Sequence, residues 1–129
     1  MRYLSLIALM LSACTQAPVD NAAAAPAGDS APTTDMIERA KAKIAGEPRV
    51  RDLVLDPAAA VMLHVAVDNS GGREYGYAEY LCLELSDLGF DKSKAVVRVI
   101  DAARIEQSQG DFRSISLGTV QCADQARWD

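Results

Sequence analysis

Residues 34–129 of this 129-residue chain predict an α+β fold. The expected form is a two-layer sandwich in which a mixed sheet of three to four strands carries two helices on one face, in the order α-β-β-α-β-β. Three observations predict it. Val61, Leu63, Val65 and Val67 alternate with Met62, His64, Ala66 and Asp68, the period of a strand. Ala78, Leu81, Cys82, Leu85 and Leu88 then recur at helical spacing. Strand-like residues return at Ala95–Asp101, and the intervening helix is too long for a hairpin, so the two strands are expected to run parallel.

Each element has a local reason. Met36, Ile37, Ala40 and Ile44 repeat with helical period, and Gly46 and Pro48 end that helix. Asp35 or Thr34 is the expected cap, with Glu38 three residues after Asp35, as a capping box requires. Val50–Leu55 reads as a strand closed by the turn Asp56-Pro57. Asn69-Ser70-Gly71-Gly72 breaks the second strand before a helix over about 74–88, and Gly89 is a natural stop. A last strand is expected over Phe112–Cys122, with 102–110 as connection. Cys122 and Leu117 have opposite parity, so a bulge at Gly118 is expected, placing Ile115, Leu117, Val120 and Cys122 on one face. The order resembles that of the small BON domains of bacterial envelope proteins over about 35–101. It departs from them by the added final strand and by lacking a glycine in the second strand. The likeness bears on fold alone.

The first fourteen residues are a different kind of signal. Met1-Arg2-Tyr3 is a short basic start, Leu4–Leu11 is apolar apart from Ser5, and small residues precede Cys14. That pattern marks a secretory signal; the apolar run falls far short of the ~20 residues of a spanning helix. Leu11-Ser12-Ala13-Cys14 resembles the lipobox of bacterial lipoproteins. The resemblance implies cleavage before Cys14, acylation of that residue, and retention at a membrane through lipid. It divides the chain into a signal peptide (1–13), a lipidated cysteine with a disordered Ala/Pro-rich tether (14–33), and one globular domain (34–129). Thr15, where an Asp would resemble an inner-membrane retention signal, points to the outer membrane, facing the periplasm. The tether's prolines and scarcity of apolar surface oppose folding.

Composition narrows the function further. The formal charge is −5, and loss of Arg2 with the signal makes the chain more acidic. Nucleic acid and anionic membrane surfaces are poor partners for such a protein. With Cys14 assigned to lipid, Cys82 and Cys122 form an even pair in an exported chain, which favours a disulfide; two buried free thiols are the other reading. His64 is the only histidine and no Cys-x-x-Cys pair exists, so neither a metal site nor a cofactor is expected. No nucleophile or paired acid and base stands out, and no enzymatic activity is expected.

Two surfaces are candidates for binding. The sheet face away from the helices should carry Met62, His64, Ala66, Val96, Arg98 and Ile100, too apolar for a fully solvated face. A homodimer or another envelope protein would use it, unless the C-terminal segment with Trp128 folds over it. The turn Gly71-Gly72-Arg73, just before a helix and beside Tyr75, Tyr77 and Tyr80, is the alternative: a site for a small anionic ligand. The expected role is therefore a lipid-anchored interaction or accessory protein, with an anion-binding module as the second reading.

Overall fold

The computed structural model describes residues 31–58 and 60–128. The expected signal peptide, Cys14 and nearly all of the expected tether lie outside the described residues. The elements are α1 (Thr34–Ala45), β1 (Val50–Asp56), β2 (Val61–Val67), α2 (Tyr75–Asp87), β3 (Ala95–Asp101), α3 (Ile105–Ser108), β4 (Ser116–Gln121) and β5 (Arg127–Trp128). Short 3-10 turns at Lys92–Lys94 and Ala102–Arg104 flank β3.

The five strands lie in one sheet in sequence order, β1-β2-β3-β4-β5. β2 and β3 are parallel, joined through α2, and the other neighbours are antiparallel. The fold is thus α+β with a mixed sheet, but with five strands and three helices among the described residues, more than the sequence suggested. The extra strand is β5, whose two residues are too few to leave a periodic signal. The extra helix is α3, a single turn inside what reads as connection.

α1 and α2 pack on one face. Ala40 and Ile44 of α1 and Ala78, Leu81, Cys82 and Leu85 of α2 meet the odd-numbered side chains Leu63, Val65, Val97 and Val99 of the central strands. Each large apolar side chain so buried contributes about 1.5–3 kcal/mol. Thr33, one residue earlier than expected, caps α1 by accepting a hydrogen bond from the Met36 N–H at 3.2 Å. Asp35 pairs instead with Arg39 at 3.0 Å, and Glu38 with Lys41. α2 ends as anticipated: Gly89 has φ 97°, which favours glycine, and the Phe90 N–H returns to the Leu85 carbonyl at 3.0 Å.

β4 is shorter than the sequence suggested, because residues 112–115 form a turn. A bulge does occur beside Gly118: Val99 pairs with Gly118, but Ile100 pairs with Ser116, leaving Leu117 as the extra residue. Leu117, Val120 and Cys122 accordingly join the core under the helices. Ile115 does not; it packs with Ala66 and Ile100 on the opposite face. The Cys82–Cys122 disulfide is formed, with Cα atoms 5.3 Å apart, and fastens α2 to the end of β4.

Candidate functional site

The even-numbered side chains of β2 and β3 face away from α1 and α2. Pairing aligns them in a row across the whole sheet: Val54 opposite His64, His64 opposite Arg98, Arg98 opposite Thr119, and Thr119 opposite Trp128. Val54 and Trp128, at the two ends, are 47% and 48% exposed. His64 and Arg98 are half-buried, and Thr119 is buried between its neighbours. One flanking row carries Asp56, Met62, Val96 and Gln121; the other carries Asp52, Ala66, Ile100 and Ser116.

Part of this face is covered, though not by the C-terminus. Trp128 is held in β5 at the sheet edge rather than folded across it. The cover is the segment from Ala102 to Ile115, whose Ala102, Ile105, Phe112 and Ile115 pack over Ala66 and Ile100. Ile100 is therefore only 3% exposed; Val96, outside that cluster, is also buried at 5%. Both leave the list of accessible partner residues, while Met62, His64 and Arg98 remain half-buried at the surface. Sequence reading left Ile105 and Phe112 without a role and put Ile115 on the helix side with Leu117; nothing in their local spacing marks them as the cover.

Between the cover and β1 lies a half-open recess lined chiefly by Val54, His64, Ala66, Ile100, Ile105 and Phe112. Asp52 is the charged residue in its lining. It has room for about one water molecule, too little for a ring or a small-molecule ligand.

The polar residues of the row are unusual. Phe112 packs against His64 with the rings tilted, and the imidazole Nδ1 is buried with no hydrogen-bond partner. Burial first, then the charge of Arg98, push the His64 pKa down to about 4 against the opposing pull of Asp56. His64 is therefore neutral at pH 7. Arg98 donates from Nε to Thr119 Oγ1 at 3.0 Å. Among the described residues, no carboxylate lies within ion-pairing distance of its guanidinium. Burial and the positive charge of Arg113 lower its pKa, and Asp111 only partly offsets them.

The Gly71-Gly72-Arg73 turn is exposed at the start of α2, with Gly71 at φ 90°. The residue capping α2 is Glu74, which makes no side-chain capping bond. Its carboxylate, 8% exposed as a residue, accepts from Arg49 at 2.8 Å and from Ser70 Oγ at 3.1 Å. The turn thus already carries an anion of its own, and Arg49 also lies over the Tyr77 ring at 4.5 Å. Tyr80 stacks beside Tyr77 and donates to Glu47 at 2.8 Å, which raises its pKa to about 12. These tyrosines fasten the α1–β1 loop to α2.

Catalytic options are few. Cys82 is in a disulfide, so its thiol is not available to His64. Among the described residues, no group of three His, Cys, Asp or Glu side chains is arranged to hold a metal ion. Among the same residues, no helix is long and apolar enough to cross a membrane. Comparison with protein-family models, curated proteins and solved structures finds no match to this chain.

Proposed function

We propose that this protein is a lipid-anchored accessory protein of the bacterial envelope, tethered through Cys14 to the outer membrane, that binds another envelope protein through the sheet face away from α1 and α2. The lipobox resemblance and the acidic composition support the location. The observation that carries the binding role is the row Val54–His64–Arg98–Thr119–Trp128. It combines exposed apolar groups at both ends with a half-buried guanidinium that has no carboxylate partner among the described residues. Arg and Trp are enriched among residues that dominate interface energies. The anion-ligand reading is less favoured, because Glu74 already brings negative charge to the α2 N-terminus.

Two measurements test this. Mass spectrometry of the processed N-terminus should find an acylated Cys14; an unmodified peptide beginning elsewhere refutes the anchor. A photoreactive side chain at Val54 should crosslink in cells to one discrete protein, which is this chain itself if the partner is a second copy. The same probe at Leu83, 52% exposed on α2, should not. Adducts from Leu83 alone would overturn the choice of face.

A further inference from the structure

Resting on the reading of the sheet face as the binding surface, we infer that the cover from Ala102 to Ile115 is an autoinhibitory strap. It lifts as a unit while the sandwich under α1 and α2 stays folded, and a partner has to displace it to reach Ala66 and Ile100.

The two ends of the strap meet at one residue. Asp101 Oδ1 accepts from the Ala103 N–H, and the Asp101 N–H donates to the Ile115 carbonyl, each at 3.0 Å. Compact surface loops closed at the root in this way are frequent functional elements. Between its ends the strap is bonded to itself. Ser108 Oγ donates to the Ile105 carbonyl at 2.7 Å, the Asp111 N–H to the Ser108 carbonyl at 2.9 Å, and Ser114 Oγ to the Asp111 carbonyl at 2.8 Å. Among the described residues, its hydrogen bonds to the sheet are those at Asp101 and one at the entry to β4, where the Ser116 N–H donates to the Arg113 carbonyl at 3.2 Å. A segment that is cohesive within itself and tied only at its roots moves on them as one body.

Side-chain packing alone holds the middle of the strap to the face. Ala102, Ile105 and Phe112 pack with Ala66, Ile100 and Ile115 in a small cluster separate from the larger one under α1 and α2. The seal against β1 is incomplete, since the recess there leaves room for about one water molecule. Against Phe112, the His64 Nδ1 is buried without a hydrogen-bond partner, and lifting the strap returns it to water. A small apolar cluster and a polar atom relieved by opening characterise a unit of low local stability. The Cys82–Cys122 bridge belongs to the other cluster and fastens α2 to the end of β4, so it does not restrain the strap. Opening uncovers Ala66 and Ile100 beside His64 and Arg98 and enlarges the apolar part of the face.

Thiol labelling of the full, disulfide-bonded chain tests the opening. Ala66 lies under the strap and Ala40 in the main core, and both are buried. N-ethylmaleimide should modify Ala66→Cys about 100-fold faster than Ala40→Cys, with less acceleration by urea, because lifting the strap exposes less surface than unfolding the chain. A bulkier maleimide should show at position 66 the same rate relative to N-ethylmaleimide that it shows on a free thiol. Selective slowing of the bulky reagent would mean entry through the recess and would overturn the inference. Phe112→Ala should speed labelling at position 66 by a further tenfold or so, through loss of packing. Ile115→Cys repeats the measurement if Ala66→Cys does not fold. Equal rates at positions 66 and 40, rising together with urea, would show that the strap opens only when the whole chain unfolds, which also overturns the inference.

Crosslinking tests the competition. With the photoreactive side chain at Val54, Phe112→Ala should raise the adduct yield at least about twofold, because a larger fraction of the chain is then open to the partner. An unchanged or lower yield would refute displacement by a partner yet leave the binding face standing. No adduct with or without Phe112→Ala would refute the face itself, and displacement with it.

Discussion

Phe112 lies against His64 with ring centroids 4.7 Å apart and planes tilted by 53°. The contact joins the cover segment to the middle of β2 and shields part of the imidazole from water. Its consequence is a dependence on pH. The folded protein holds His64 near pKa 4, below its ordinary value of 6.5. Between those values the unfolded chain binds more protons than the folded one, so stability falls as pH drops from about 6.5 toward 4. An NMR titration should place the His64 midpoint near 4. The His64→Phe variant should lose this part of the pH dependence in thermal melts. A midpoint near 6.5 would mean that Phe112 does not shield the ring.

The Cys82–Cys122 bridge spans a sequence separation of 40. In the chain-entropy model, closing such a loop stabilises by about 4 kcal/mol. Cys82→Ser should therefore lower the melting temperature sharply in oxidising buffer and little under reductant. Equal losses in both conditions would place the effect in packing of α2 rather than in the crosslink.

Two glycines make opposite predictions. A Cβ at Gly118 would meet Tyr75 Cδ1 at 3.0 Å, the Tyr75 N at 3.1 Å and the Glu74 carbonyl carbon at 3.3 Å. Much of that contact is backbone, held close by the Glu74 N–H donating to the Leu117 carbonyl at 2.9 Å. Gly118→Ala should cost about 1–3 kcal/mol in denaturant unfolding. Gly76, in the first turn of α2, meets nothing within 4 Å. Gly76→Ala should stabilise by about 0.4–1 kcal/mol.

Glu74 ties three segments together by accepting from Arg49 and Ser70 at the start of α2. Glu74→Ala should destabilise by about 0.5–1.5 kcal/mol, the net worth of its hydrogen bonds, since Arg49 and Ser70 can turn to water. Arg49→Ala should cost a similar amount, and the double variant less than their sum. Additive losses would show that the two side chains do not act as a pair.

Much of the architecture was legible from local pattern. The alternation from Val61 to Val67 and from Ala95 to Asp101 marked β2 and β3 at their observed bounds. The stripe Ala78–Leu81–Cys82–Leu85 marked both α2 and its buried side. The parallel pairing followed from the length of that helix. Of the candidate face, Met62, His64 and Arg98 were placed correctly on one side, because parity along a strand is a local property. What covers the face was not legible. Ile105, Phe112 and Ile115 are scattered through a connection of mixed polarity, and only the folded chain brings them over Ala66 and Ile100.

The sequence by itself determined the types of α1, β1, β2, α2, β3 and β4, the two-sided character of the central strands and the pairing of Cys82 with Cys122 as the favoured bridge. These depend on residues a few positions apart, or on a count of two. Tertiary structure alone decided that Leu117 bulges, that Ile115 and Leu117 part to opposite faces, that Trp128 stays at the edge, and that Arg98 stands without a carboxylate among the described residues. The reason is physical. Register and cover are settled by contacts between segments far apart in the chain, and no local periodicity encodes which distant side chain will fill a given space.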